Sequence, residues 1–278
     1  LTFHQYSNSL KCHYCGFSEK NQKKCLKCNS SKIDMKGYGT QQIEEQIKSF
    51  FPKARVDRMD WDTTRGKYSV DKILEKFENS QIDILIGTQM ITKGLDFKNI
   101  GLVGVINADN ILFFPNFRAN EKAFQILTQV AGRAGRSSIK GSVIIQTFSP
   151  ENNIFELIKE QNHDGFYKKE IAERNQFNYP PYYRLIKIII KSRDSNTLRI
   201  ASNWLFKSLS NGFIYPIYGP FEPHISKIKN QFIKQILIKY PNTNVRNKIK
   251  KHLMRSVESF ESIAKFRIVK LNIDIDPN

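Results

Sequence analysis

The 278 residues contain no GxxxxGK[ST] phosphate loop and no acidic box to hold magnesium beside one. A complete nucleotide-hydrolysing lobe is therefore not encoded here. No run of 18 apolar residues and no signal-like start occurs, so neither a membrane-spanning nor a secreted form is expected, and a cytoplasmic one is. Internal repeats and long low-complexity tracts are absent. Cysteine is scarce and confined: there are four, and none lies beyond residue 28. Acidic residues are few beside basic ones, 26 against 44, giving a net charge of +18.

Such an excess attracts polyanions, with nucleic acid first and an anionic membrane surface second. Lys, Asn and Ile are all plentiful, so part of the charge is compositional. The four cysteines form two CxxC pairs, Cys12/Cys15 and Cys25/Cys28, separated by nine residues. Paired knuckles at one end suggest thiolate zinc ligands in a reducing compartment. Free structural thiols and redox pairs are the alternatives. His4 and His13 lie nearby, and His13 reads as a packing or phosphate-facing residue rather than a ligand.

Two motifs carry chemistry. Gln129-Val130-Ala131-Gly132-Arg133-Ala134-Gly135-Arg136 ends an apolar helical run with two arginines, each preceded by glycine. Arginine forks onto phosphate oxygens, and glycine permits close approach. The plain alternative is a basic helix end, which the helix dipole favours. Upstream, the apolar run Ile82–Ile86 ends in Gly87-Thr88-Gln89, and a loop then carries Lys93-Gly94-Leu95-Asp96. Such a run reads as a strand buried on both faces, and polar groups just past it sit where open α/β sheets bind ligands. The alternative there is a core strand with an ordinary polar loop.

Together these segments resemble motifs V and VI of superfamily 2 helicases. With Pro115-Asn116-Phe117-Arg118-Ala119, Gly37-Tyr38-Gly39-Thr40, Asp62-Thr63-Thr64, Tyr179-Pro180-Pro181-Tyr182 and Asp274-Ile275-Asp276-Pro277, the chain is similar to the primosomal protein N′ family along nearly its whole length. The resemblance implies an ATP-dependent 3′–5′ DNA helicase that recognises stalled forks and starts primosome assembly. It implies ATP with Mg²⁺ and Zn²⁺ as cofactors. Its partners would be forked and single-stranded DNA, other primosome proteins and single-stranded-DNA-binding protein, with no membrane. Because the first motor lobe's motifs are missing, the chain is expected to be the C-terminal part of a longer helicase, inactive as an ATPase by itself. Relatives carry eight cysteines in four pairs whose ligand sets interleave around two zinc ions. Only the later pairs are here, and the expectation for them is at most one zinc, in a makeshift four-thiolate site.

The order of elements gives the expected organisation. Residues 1–36 read as a partial zinc-binding segment. Residues 37–150 alternate strands and helices, an α/β pattern that implies a parallel sheet in an incomplete RecA-like lobe. Helices are expected over 151–178 as a linker. Residues 179–278 read as strands 185–190, 213–218, 232–240 and 266–275 with helices 195–210 and 244–262. That is the β-α-β-β-α-β order of a split βαβ, α+β domain.

By resemblance, Arg136 reaches the γ-phosphate of ATP and Arg133 supports it. Gln129, Asp96 and Gly94 position the nucleotide, and Thr88 and Gln89 face the translocating strand. Asp96 also reads as an ordinary loop cap. In the C-terminal domain, Lys227, Lys229 and Lys234 surround Phe232, a pattern suited to single-stranded DNA. A basic strand edge that discourages sheet aggregation fits equally well. Trp204 reads as core. Several positions depart from the family: Leu95, Asn107, Asn116, Lys122, and Asn230-Gln231-Phe232 where relatives have a Gly-Arg-Tyr-like segment. Two functions of other classes compete with the helicase: a residual DNA-binding and docking module without a motor, and an RNA-directed helicase.

Overall fold

The computed structural model describes all residues except 1, 5–8, 13, 23, 26, 33–38, 61–62, 65–68, 93–99, 133–140 and 278. The chain is a mixed α/β protein of two compact units. One comprises 34–166, and the other joins 1–33 to 167–278.

In the 34–166 unit, helix α1 (Thr40–Phe50) packs on strands β4 (Val56–Met59) and β5 (Ile84–Gly87), which pair in parallel with Val56 opposite Ile84. Ile43 and Ile47 are half-buried, as one face of a surface helix requires. Arg55 and Asp83 clamp the start of this pair. The guanidinium holds the carboxylate at 2.5 and 3.0 Å, and its hydrogen bond draws the Asp83 pKa down to about 2. Helix α2 (Ser69–Glu78) bridges the two strands in sequence.

Strands β6 (Leu102–Val105) and β7 (Ser142–Ile145) form a second parallel pair. Both connections are helical, as parallel pairing demands. Among the described residues the four strands make two separate pairs rather than the one sheet that the sequence pattern implies. The short helix α3 (Asp109–Leu112), helix α4 (Ala119–Ala131) and helix α5 (Asn153–Lys159) share a core of Ala108, Leu112, Ala123, Phe124, Leu127, Ile154 and Ile158. Phe124, Leu127 and Val130 recur at helical spacing, and all are buried.

The other unit holds three short antiparallel strands, β1 (Thr2–His4), β2 (Ser9–Lys11) and β3 (Ser18–Lys20), and the two cysteine turns. After helix α6 (His163–Gln176), its larger part runs β8 (Tyr183–Ser192), α7 (Ser195–Ser210), β9 (Ile217–Phe221), a two-residue strand β10 (Lys227–Ile228), β11 (Gln231–Pro241), α8 (Arg246–Ser262) and β12 (Lys270–Ile275). The sheet is antiparallel in the order β9-β11-β8-β12, with β10 on β11. This is the split βαβ arrangement read from the sequence. Ile186, Ile188, Ile190, Ile236 and Ile238 line one face and are at most 3% exposed. Helices α7 and α8 cover that face through Leu205, Leu209, Leu253 and Phe260. Burying each such side chain is worth about 1.5–3 kcal/mol. Asp194 caps α7 by accepting from the Thr197 amide at 2.6 Å. Trp204 packs against this core beside Phe260 and Phe266, as expected.

Two expected strands shift. The second strand of this domain occupies 217–221 rather than 213–218. Phe213 and Tyr215 pack under the core, and pairing with β11 begins only at Ile217 opposite Ile238. The last strand begins at Lys270, because Ala264–Phe266 forms a 3-10 turn that drives Phe266 into the core.

Candidate functional site

Strand β5 ends at Gly87, and the chain turns at once into the 3-10 turn Gln89–Thr92. A Cβ at Gly87 would stand 2.5 Å from the Met59 carbonyl and 2.2 Å from the Ile91 side chain. Only glycine lets the turn fold this tightly over the strand end. Thr88 and Gln89 are both exposed there, and the Ile91 amide donates to the Thr88 carbonyl at 3.1 Å. The turn lies against α4, so the strand-end motif and the helix that leads into Gly132-Arg133 meet within one unit.

On α4, Gln129 is exposed on the last turn, and Gly132 closes the helix with its amide donating to the Thr128 carbonyl at 2.9 Å. Gln129 borders a cavity of about 540 Å³ with Glu121, Gln125, Thr128, His163 and Phe166. One helix face supplies the polar rim, since these α4 positions recur three and four residues apart. Phe124 floors the site and stacks on Phe166 at 4.1 Å. Of the residues expected to touch nucleotide, Gln129 is the one so placed. Gly94, Asp96, Arg133 and Arg136 lie outside the described residues.

A site that sequence reasoning missed centres on Asp60, which is only 7% exposed. Its carboxylate accepts from the Thr40 hydroxyl at 2.5 Å and the Thr63 amide at 3.0 Å, and Arg58 lies 3.3 Å away. Two motifs singled out separately, around Thr40 and around Thr63, thus converge on one buried carboxylate. The legible signal is the Asp60…Thr63 spacing, an Asx-type turn just past an alternating strand.

Two departures from the family pattern fit their sites. Asn116 accepts from the Arg118 amide at 2.9 Å at the start of α4, a bond that an aspartate would also accept. Asn107 has a left-handed backbone, φ 57°, which asparagine tolerates better than most residues.

The cysteine pairs form two matching turns. The Gly16 amide donates to the Cys12 carbonyl and the Cys12 amide to the Phe17 carbonyl, and Asn29, Cys25 and Ser30 repeat the pattern. Gly16 and Asn29 both have positive φ, 78° and 55°. Backbone amides of Cys15 and Tyr14 lower the Cys12 pKa from its ordinary value, and those of Cys28 and Lys27 do the same for Cys25. Among the described residues no three Cys, His, Asp or Glu converge as a metal site. Each pair fits as two ligands of a site.

Lys229 and Asn230 both have positive φ, 46° and 58°, and link β10 to β11 in a two-residue hairpin. The Lys229 amide donates to the Tyr14 carbonyl at 2.8 Å, docking the first cysteine turn on the hairpin. The Lys227 ammonium sits 4.5 Å over the Phe232 ring. Lys234 lies two residues along β11 on the same face as Phe232, and Lys229 stands at the tip. The structure thus gathers all three lysines at one end of the domain.

No helix among the described residues is long and apolar enough to cross a membrane. Residues 7–138 match the helicase conserved C-terminal domain, and 175–278 match the primosomal protein N C-terminal domain. Replication restart protein PriA of Bacillus subtilis is 40% identical over 283 residues, covering 100% of this chain and 34% of that protein. The protein of the same name from Synechocystis is 37% identical over 274 residues, covering 96% of this chain and 32% of its own length. The one from Chlamydia pneumoniae is 37% identical over 286 residues, with 100% and 37% covered. The chain spans about a third of the length of these relatives.

Proposed function

The chain belongs to the PriA replication-restart family, and from that premise we propose that it works within an ATP-dependent 3′–5′ DNA helicase that recognises stalled forks and initiates primosome assembly. One observation carries the reading: a helicase C-terminal domain and a primosomal C-terminal domain follow one another in a chain that aligns with such proteins from end to end. In this reading 37–150 is the second RecA-like lobe, 1–36 part of the zinc segment, 151–178 a linker and 179–278 a DNA-binding domain. The remaining two-thirds of the full-length protein supplies the P-loop and the magnesium ligands.

Each residue then has a task. Arg136 reaches the γ-phosphate of ATP held by the other lobe and neutralises charge that develops during phosphoryl transfer, with Arg133 beside it. Gln129, Asp96 and Gly94 position the nucleotide. Thr88 and Gln89 touch the backbone of the translocating strand, contacts that carry no sequence information. The contact of the turn Gln89–Thr92 with α4 supports a link between the strand-contacting and nucleotide-positioning motifs. Cys12 with Cys15 and Cys25 with Cys28 each contribute half of a zinc site, the other thiolates coming from the rest of the full-length protein. The work is cytoplasmic, on forked and single-stranded DNA, together with primosome proteins and single-stranded-DNA-binding protein.

Competition binding tests the reading. At physiological salt the purified chain should prefer a forked DNA to a duplex of equal length, and its affinity should fall steeply with salt. Equal affinity for fork, duplex and RNA at every salt would reduce the interaction to non-specific charge and favour a residual docking module.

A further inference from the structure

The C-terminal sheet has two faces of different character, and only one is covered by helices. Cross-strand register defines the other. Lys270, Lys191 and Ile233 form one row across β12, β8 and β11, in which Ile233 is buried and the two lysines supply the accessible part. Asn272, Ile189, Gln235 and Phe221 form the next, and Asp274, Lys187, Leu237 and Tyr218 the third. Resting on the single-stranded-DNA reading above, we propose that this helix-free face is the platform on which the chain lays single-stranded DNA. Tyr218 and Phe221 stack on bases, and Lys187, Lys191 and Lys270 meet phosphates.

Three observations carry the assignment. First, β9 is bulged. Tyr218 stands opposite Leu237 and Phe221 opposite Gln235, so three residues of β9 span two of β11. Residues three apart on a regular strand point to opposite faces, and the extra residue brings both rings to the same one. They stand two residues apart along β11, on the order of 7 Å. Tyr218 is 45% and Phe221 40% exposed.

Second, Lys191 and Lys270 are direct cross-strand partners in a row that holds no carboxylate. Like charges directly opposite each other destabilise a sheet, and a bound anion relieves that repulsion. Asp274 is the one acid in the three rows, and it pairs across the strands with Lys187. Third, a cavity of about 370 Å³ lined by Arg193, Lys270, Gln231, Ser192, Ile268 and Asp194 lies beyond the Lys191 end, adding two cations and one carboxylate there. At the opposite end, Lys239 is covered by Tyr179 and by the carbonyl of Phe177, which closes the platform there.

Chemistry selects the occupant. Aromatic rings on an open sheet offer π-faces to unstacked bases, which a duplex keeps inside its stack. The platform is separate from the lysines at the hairpin, because Lys234 lies opposite Ile190 and Phe232 opposite Ser192, on the helix-covered face. The two sets can therefore be changed independently.

The test uses the 278-residue chain and fluorescence anisotropy with labelled oligo-dT and a duplex of equal length. Tyr218→Leu with Phe221→Leu is expected to weaken oligo-dT binding about tenfold or more and duplex binding little. Tyr218→Phe with Phe221→Tyr, which keeps both rings, is expected to bind like the unsubstituted chain. Replacing Lys187, Lys191 and Lys270 by Gln should lower the salt slope for oligo-dT by about 2, at roughly 0.7 per phosphate contact. Circular dichroism checks folding, and if the leucine pair unfolds, the surface lysine triple decides alone. Unchanged oligo-dT binding by the lysine triple, or by a folded leucine pair, overturns the proposal. If replacing Lys227, Lys229 and Lys234 then weakens binding instead, the DNA reading stands and only this face is wrong. No oligo-dT binding by the unsubstituted chain sinks both, and tighter binding of oligo-rU than oligo-dT overturns the choice of DNA.

Discussion

Lys239 is a lysine 6% exposed near the end of β11, and its surroundings explain how it is tolerated. Its ammonium donates to the Phe177 carbonyl at 2.9 Å and lies 3.5 Å from the Tyr179 ring centroid and 5.5 Å from that of Tyr218. The contact ties the Tyr-Pro-Pro-Tyr segment to the sheet. Burial pushes the lysine pKa down, and burial followed by the charge of Tyr218 pushes that of Tyr179 up. Lys239→Met keeps the volume but loses the charged hydrogen bond and the cation–π contact. It is expected to cost about 1–3 kcal/mol in urea unfolding at pH 7. The pH dependence has a definite sign. Below the ordinary lysine pKa of about 10.4 the unfolded chain holds the proton more firmly, so the unsubstituted chain gains stability as pH rises towards about 10. The methionine variant should lack that gain, and identical pH profiles would contradict this account of the site.

At the scale of elements, the cysteine turns make the clearest claim. Each is a preformed pair, and among the described residues the pairs do not combine into a metal site. Metal analysis with thiol titration should find at most one zinc per isolated chain, bound less tightly than in full-length relatives with eight cysteines. Two tightly held zinc ions would show that four thiolates suffice. How far the elements were legible in the sequence follows from what sets them. Helix α4 was readable because Phe124, Leu127 and Val130 repeat with the helix and Gly132 stops it. The first and third strands of the C-terminal domain were readable because β-branched apolar residues crowd them, Ile186, Ile188, Ile189 and Ile190 in one and Ile233, Ile236 and Ile238 in the other. Strand β9 was misplaced because Phe213 and Tyr215 have strand-like character yet serve as packing residues, and only pairing with β11 decides where the strand starts. The bulge that turns Phe221 outward is marked locally by Gly219-Pro220, with Gly219 at φ 121°, but the face Phe221 takes is decided by pairing with β11. The Asp60…Thr63 spacing is legible, whereas the approach of Thr40 to Asp60 depends on a contact between segments distant in sequence.

For the whole molecule, charge, fold and family membership point to one role, each with different force. The charge of +18 gives attraction to nucleic acid without choosing among targets. The split βαβ domain gives a sheet with helices α7 and α8 on one face only, a fold that hosts many functions. The motor claim rests on the two motifs that meet where the turn Gln89–Thr92 lies against α4, and on the arginines that follow. The chain alone should show no DNA-stimulated ATP hydrolysis, since it encodes no phosphate loop. The most direct measurement is DNA-stimulated ATP turnover by the full-length protein carrying Arg136→Ala, with nucleotide affinity measured alongside. The account predicts turnover reduced by about a thousandfold or more, as for loss of an arginine finger, with ATP affinity changed only a few-fold. Turnover close to that of the unsubstituted full-length protein would contradict it.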